Sequence, residues 1–395
     1  MIGDGWDGDP AIRPGEIEDA GLDRPRRVAV VTGSRADYGL LRPVMRAIAA
    51  HPSLELLTIA AGSHLVLPGL TFRDVKADFE IFDSIPMQTA GRTGRAADVE
   101  AIGAGVSRFG RSFERIAPDW VVVLGDRIEA FAAATAAAIG GRALCHIHGG
   151  DRAEGVSDES MRHAITKLAH LHCAATERSA ERIRRMGERA EMVRVTGSPA
   201  IDELGAIEPM DDDAYAELGS PDTVVLFHPI GRHAEEEESA ACAILEAVRG
   251  RRVVALAPNL DPGRQGIVRA LQLSEVRSIE HLPRSRFVGL LKRVAAAGGV
   301  LVGNSSAGLI EASALGVRVV DIGDRQAGRE TPEGVVHVAR EHADAIEGGI
   351  RRTLTAEIGS AGHPYGDGRA GARIAEALAG IDPLDTGLLR KRCVY

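Results

Sequence analysis

The chain has 395 residues, 45% of them hydrophobic and 26% charged, with a formal net charge of −9. That length exceeds one ordinary core and predicts two globular domains. The acidic balance offers no nucleic-acid surface, no apolar run approaches the ~20 residues of a membrane span, and aromatics at only 4% argue against an all-β sandwich.

Residues 1–25 are rich in Gly, Asp, Glu and Pro and lack a hydrophobic segment, so they read as a flexible leader and not a secretory signal. The expected location is cytoplasmic. Cys145, Cys173 and Cys242 sit in apolar or helical contexts and are expected to be buried thiols, with Cys393 in an exposed tail.

Residues 26–31 (RRVAVV) form a β-rich run that passes into Thr32-Gly33-Ser34-Arg35-Ala36-Asp37 and an apolar helix. Strand, Gly-containing loop and helix outline a phosphate site. Neither G-x-G-x-x-G nor the Walker pattern is present, so dinucleotide and ATP binding do not follow. Arg35 suits bidentate phosphate contact, or the capping of a surface turn. Residues 54–60 are a second strand ending near His64, residues 91–95 read as a loop, and a helix is expected over about 99–116.

Two apolar runs then end abruptly in polar clusters. Residues 120–124 end in Gly125-Asp126-Arg127, and residues 143–147 end in His148-Gly149-Gly150-Asp151. The Ala-rich segment between them has helix propensity, which makes a βαβ unit with its ligand site at the carboxyl ends of the strands. Asp126, Arg127, His148, Asp151 and Asp158 are thereby expected at one crevice. Further strands over 173–176 and 192–195, with a helix over 177–186 between them, complete a doubly wound sheet of five or six strands.

Residues 206–222, with Pro209, an acidic run and a Gly-Ser-Pro turn, read as the linker between a first domain over 26–205 and a second over 223–375, leaving a tail over 376–395. The second alternation has strands over 224–227, 253–257, 300–302 and 318–321 and helices over 235–249 and 287–297. The acidic residues 235–238 open a helix, where they complement its dipole. The fold class is α/β, with two Rossmann-like domains facing across a cleft.

Gly303-Asn304-Ser305-Ser306-Ala307-Gly308 lies between a strand and a helix. Free backbone N–H groups, two hydroxyls and the helix dipole suit a diphosphate there, while N-capping by Ser305 or Ser306 is the plainer alternative. Glu311 is placed to accept hydrogen bonds from ribose hydroxyls. The pair His146 and His148 with Asp151 invites a metal, but the spacing matches no zinc signature and Arg127 and Arg162 add positive charge, so no metal is expected. His170 and His172 read as packing or capping residues at a helix end. Asp126, Asp158 and Asp202 are each ordinary helix caps when taken singly. Converging beside Arg and His, they would form an acid/base set.

The motifs T-G-S-R-A-D-Y-G-L-L at 32–41, L-G-D-R-I-E-A at 124–130, H-I-H-G-G-D-x-x-E-G at 146–155 and D-E-S-M-R-H-A-I-T-K-L-A-H-L-H at 158–172 are specific as a set. To them are added G-S-P-A-I-D at 197–202, F-H-P at 227–229, G-N-S-S-A-G-L-I-E-A at 303–312 and I-G-D-R-Q-A-G-R-E-T at 322–331. In these motifs the chain resembles the hydrolysing UDP-N-acetylglucosamine 2-epimerases of the sialic-acid and legionaminic-acid type. The resemblance implies a two-domain GT-B fold and proton abstraction at the sugar C2, with loss of UDP to a 2-acetamidoglycal. Water addition then gives the free 2-epimer, and no metal or nicotinamide cofactor is implied.

Asp126, Asp158, Asp202 and His228 match the family's catalytic positions, and His148 stands at another. His64, Arg127, Asp151 and Glu154 fall on the sugar side, and Arg35, Asn259, Ser305, Ser306, Glu311 and Arg325 on the UDP side. Many members that make N-acetylmannosamine carry Glu where this chain has His148. The H-I-H-G-G version is similar to the branch acting on 2,4-diacetamido-trideoxyhexoses. The expected partner is a UDP-sugar, with no nucleic acid or membrane, and the expected assembly a homodimer or homotetramer. A GT-B glycosyltransferase, a metal-dependent hydrolase and a non-catalytic nucleotide-sugar binding protein are the alternatives.

Overall fold

The computed structural model describes residues 24–67, 70–92, 94–152, 158–259, 261–356 and 362–394; the expected leader, apart from its last two residues, lies outside them. Two wholly parallel sheets organise the described residues. The first contains β1 Arg26–Thr32, β2 Leu54–Ala61, β3 Ile81–Ile85, β4 Trp120–Leu124, β5 Ala143–Ile147, β6 Leu171–Ala174 and β7 Val193–Val195, in the order β3-β2-β1-β4-β5-β6-β7. The second contains β8 Thr223–Leu226, β9 Val253–Leu256, β10 Arg277–Ile279, β11 Val300–Gly303, β12 Arg318–Ile322 and β13 Val335–Val338, in the order β10-β9-β8-β11-β12-β13.

Every residue of β4 and β5 is buried, because helices cover both faces of the sheet, and this is why these strands read as unbroken apolar runs. The helix Arg95–Ile116 and the helix Ile128–Ile139 close one face around Phe109, Phe113 and the alanines 132–134. The helix Arg35–Ala50 closes the other through Leu41, Val44, Met45 and Ile48. In both sheets the strand order reverses beside the first strand, between β1 and β4 and between β8 and β11. Those reversals place a crevice at the carboxyl ends of the strands.

The chain ends back on its first half. The helix Ala370–Gly380 packs Ile374, Ala375 and Leu378 into the same cluster as Leu41 and Met45, and Leu388 joins it. Residues 370–389, read in sequence as the end of the second domain and a tail, therefore contribute to the first sheet's core. A smaller apolar cluster of Ala175, Ala200, Ile201, Leu204, Val288, Leu309, Ile310 and Tyr365 joins the two halves. Two expectations about individual residues change. Cys242 is exposed on its helix, while Cys145 and Cys173 are buried with sulfurs 3.7 Å apart. His172 lies inside β6, a strand buried along its whole length, and not at a helix end. Among the described residues no helix is long and apolar enough to cross a membrane.

Candidate active site

The loop after β1 is built around Asp37. Its carboxylate accepts from Gly33 N at 2.8 Å, Ser34 N at 2.9 Å and Thr32 Oγ1 at 3.0 Å, while Ser34 caps the helix Arg35–Ala50 in return. This reciprocal cap satisfies the loop's donors and leaves Arg35 exposed at the helix start. There Arg35 bears electrostatically on His281 of the second half, whose pKa is lowered by burial first and by that charge second. Arg35 thus faces the space between the halves.

Beneath this loop lies Glu129, a residue that sequence reading did not select. A Cβ on Gly33 would sit 2.4 Å from Glu129 Cβ, and one on Gly62, whose φ is +54°, 2.3 Å from Glu129 Cγ. Only glycine admits the side chain at both places. Burial raises the Glu129 carboxyl above its ordinary range. Its Oε2 takes Arg127 Nε at 3.3 Å, which draws Arg127 across the end of β4. His64 is wholly buried between Thr32 Oγ1 at 2.9 Å and Thr71 Oγ1 at 2.6 Å, and burial lowers its pKa.

At the carboxyl end of β4, Asp126 forms an ion pair with Arg162, which also donates to Asp151 O at 2.9 Å. Burial first, and the Arg329 charge second, lower the Arg162 pKa to about 9. Asp151 accepts from Ser179 Oγ at 2.7 Å and lies 3.2 Å from His148 Nδ1. Burial pushes the Asp151 carboxyl up, but His148, Arg329 and Ser179 together outweigh it and leave its pKa below the usual value. The second nitrogen of His148, Nε2, is 3.0 Å from Ser198 Oγ. His148 has φ +63°, a left-handed conformation that an L residue adopts only where its surroundings impose it. Here the ring is clamped between Asp151 on its Nδ1 side and Ser198 on its Nε2 side.

The nucleotide-side loops are ordered by Asn304. Its Oδ1 accepts from His228 N and its Nδ2 donates to His228 O, both at 2.8 Å, while its own carbonyl takes Gln326 Nε2 at 2.8 Å and Arg325 Nη1 at 3.1 Å. The approach is close: a Cβ on Gly303 would lie 2.0 Å from Leu226 O. His228 Nδ1 accepts from Asn259 N at 3.2 Å, and burial with the nearby Arg325 pushes its pKa down to about 3. Ser305 and Ser306 follow at a helix start, and that helix widens into a π-turn over Gly308–Ala312 carrying Glu311. Such π-turns recur at functional sites. Glu311 Oε1 is 3.3 Å from Arg284 Nη1, and Arg284 also reaches Ala200 O in the first half. Asn259 Oδ1, Asp321 Oδ1 and Gln326 Oε1 are buried with no hydrogen-bond partner among the described residues.

The two halves meet around this site. Thr176 Oγ1 donates to Glu330 Oε1 at 2.8 Å, Arg329 Nε to Arg152 O at 2.7 Å, and Arg182 to Gly328 O. The structure therefore gathers His64, Asp126, Arg127, His148 and Asp151 on one wall, and His228, Asn259, Ser305, Ser306, Glu311 and Arg325 on the other. Asp158 opens the helix Asp158–Leu168, but its side chain and the whole of Glu154 lie outside the described residues. Asp202 is engaged elsewhere. Its oxygens accept from Ala370 N at 3.0 Å and Gly371 N at 2.6 Å, capping the helix Ala370–Gly380, and burial raises its pKa. Sequence reading missed Arg162, Arg284 and Arg329 as site residues. Of these Arg162 had a signal, four residues into the helix that Asp158 begins. No group of three or more His, Cys, Asp or Glu among the described residues is arranged to hold a metal ion.

Comparison with known proteins bears on the same architecture. A family model described as UDP-N-acetylglucosamine 2-epimerase matches residues 46–379. The chain is 35% identical over 383 residues to a UDP-N,N'-diacetylbacillosamine 2-epimerase (hydrolyzing) of Legionella pneumophila, covering 94% of this chain and 100% of that protein. It is 32% identical over 327 residues to a UDP-N-acetylglucosamine 2-epimerase of Neisseria meningitidis, covering 80% and 84% respectively. In fold it is similar to the crystal structure of the Neisseria meningitidis UDP-GlcNAc 2-epimerase bound to UDP-GlcNAc, with a TM-score of 0.73 at 20% identity over 90% of this chain and 100% of that one. The doubled parallel sheet is thus the GT-B arrangement, and the chain belongs to the UDP-N-acetylglucosamine 2-epimerase family.

Proposed function

We propose that this protein is a hydrolysing 2-epimerase that converts a UDP-2-acetamido sugar and water to UDP and the free 2-epimer. The observation that carries the reading is the opposition of two unlike walls across one cleft. Asp126 with Arg162 stands at the first switch point, and His228 with the Ser305–Ser306 helix start stands at the second. The family membership and the activity of the Legionella relative support it. That relative makes UDP-2,4-diacetamido-trideoxyhexoses the first substrates to test, with UDP-GlcNAc second.

In the reaction Asp126 takes the C2 proton, the C2–H electron pair becomes the C1=C2 bond of the glycal, and the C1–O bond breaks with its pair leaving on UDP. Arg35 and the backbone N–H groups at Ser305–Ser306 receive the charge of the departing diphosphate. Water then adds its hydroxyl to C1 and releases its other proton to solvent, while C2 is protonated from the opposite face with Asp158 as the donor. His148 and Asp202 take positioning roles in this scheme. Both His148 nitrogens and both Asp202 oxygens are already engaged within the protein.

Proton NMR of a panel of UDP-2-acetamido sugars in heavy water tests the reading. The expected outcome is UDP release together with a 2-epimer carrying deuterium at C2. Product that retains the original C2 hydrogen removes the elimination pathway.

A further inference from the structure

The helix Asp158–Leu168 serves the site along its whole length. Asp158 begins it and Arg162 pairs with Asp126. Thr166 Oγ1 lies 3.2 Å from His146 Nδ1, and His146 Nε2 lies 2.8 Å from Gly125 O, immediately before Asp126. The carbonyls at the end of such a helix have no partners within it. Here they are met by a residue from far along the chain. Lys391 Nζ donates to Thr166 O at 3.1 Å, to Lys167 O at 2.7 Å and to Ala169 O.

The same ammonium pairs with Glu188 Oε2 at 2.7 Å, while Glu188 Oε1 takes Lys167 Nζ from the helix itself at 2.6 Å. His172 Nε2 lies 3.2 Å from that carboxylate, and Val394 N donates to Gly187 O at 2.8 Å. With Leu388 buried in the first core, residues 388–394 are held at an apolar anchor, an ionic centre and a backbone bond. A surface lysine that pairs with one carboxylate contributes little. Lys391 differs in placing one cation at converging carbonyls, where it also opposes the negative end of the helix dipole.

We propose that Lys391 is a positioning residue for the active site: with Glu188 it latches the C-terminal segment to the end of the helix Asp158–Leu168, and so sets where Arg162, and through it Asp126, stands. Its kinetic consequence rests on the epimerase reading; its structural consequence does not.

The test compares the full-length protein with Lys391→Met, which keeps the stem and removes the charge, and Lys391→Arg, which keeps the charge. Amide hydrogen exchange over residues 160–168 is measured beside kcat, KM and UDP affinity. Lys391→Met is expected to accelerate exchange in that helix but not in the second sheet. It should lower kcat about tenfold with KM and UDP affinity nearly unchanged, since small displacements of a catalytic group cost rate more than binding. Lys391→Arg should recover most of the rate. Unchanged helix exchange overturns the latch, and faster exchange with unchanged kcat overturns its bearing on the site. An unmodified protein that turns over no UDP-sugar defeats the functional reading instead, and the exchange result then decides the latch alone.

Discussion

At the carboxyl end of β4 charged side chains satisfy one another, whereas at the carboxyl ends of β8 and β11 polar side chains satisfy backbone. Asp126 has Arg162, Asp151 has His148 and Ser179, and Glu129 has Arg127. Across the cleft, Asn304 spans the main chain of His228, and Arg325 and Gln326 hold the Asn304 carbonyl. Three polar atoms there, on Asn259, Asp321 and Gln326, are buried without a hydrogen-bond partner among the described residues. A buried polar atom left unpaired is costly; these three acceptors suit the donors of a polar ligand, and the buried, unpaired Arg162 Nε of the first wall suits an acceptor. On the proposed reading, proton transfer falls to the first wall and recognition to the second.

The largest effect that could break this division comes from Asp126→Asn. The amide keeps the size of the side chain and removes the base. It should lower kcat about a thousandfold, within the range of general acid–base contributions, and leave UDP affinity within about twofold. Turnover by single-turnover kinetics and UDP binding by calorimetry read the two walls separately. An equal loss in both would show that the walls act as one unit.

Much of this was legible before any coordinates, for a physical reason. β1, β4, β5, β8, β11 and β12 are covered on both faces, so each appears as an apolar run that ends sharply where it meets the cleft. β3 reads Ile-Phe-Asp-Ser-Ile with alternating exposure, and β10 and β13 are likewise edge strands. They carried no such signal, which is why the first sheet was expected with five or six strands and has seven. The site divided in the same way. Asp126 and Ser305 lie where local pattern announces them. Asp202 looks equivalent in sequence, yet its partners are the N–H groups of Ala370 and Gly371, which no local pattern brings near. Glu129 resembles any acidic residue in a helix's first turn until Gly33 and Gly62 are seen packed against it. Long-range partners, not local propensity, decided both.

Acid should distinguish the walls next. Burial pushes His146 down to about 3 and His170 to about 4, with Lys391 adding to the second, and it lowers His64 and His172 as well. The second half has His228 at about 3, with His281 and His363 also lowered by burial. A histidine whose folded pKa lies below its unfolded value leaves the unfolded chain holding more protons. Stability is therefore full above about pH 6.5 and declines as pH falls toward the folded values, by roughly 2 kcal/mol at pH 5 for each of His146 and His228. Glu188, at about 2 because His172, Lys167 and Lys391 outweigh its burial, acts only lower down. Its contribution holds above about pH 4.5 and fades as pH falls toward 2. Hydrogen exchange at about pH 7 and pH 5 should show the first sheet losing protection before the second. Loss in the opposite order would contradict the concentration of buried neutral histidines on the sugar side.

The smallest effect is expected from single serine changes on the recognition wall. Ser305 Oγ accepts from Ala307 N at a long 3.4 Å, and Ser306 stands at the helix start, so neither hydroxyl is tightly held by the fold. Ser305→Ala or Ser306→Ala leaves the backbone N–H groups and the helix dipole in place and removes one donor to an anionic oxygen. About tenfold weaker UDP binding is expected for each, with kcat at saturating substrate almost unchanged. The pattern is the inverse of Asp126→Asn, because on the proposed reading these hydroxyls act on bound diphosphate and not on the C2 proton. A serine variant that lost kcat while keeping its UDP affinity would place transition-state work on the second wall and erase the distinction.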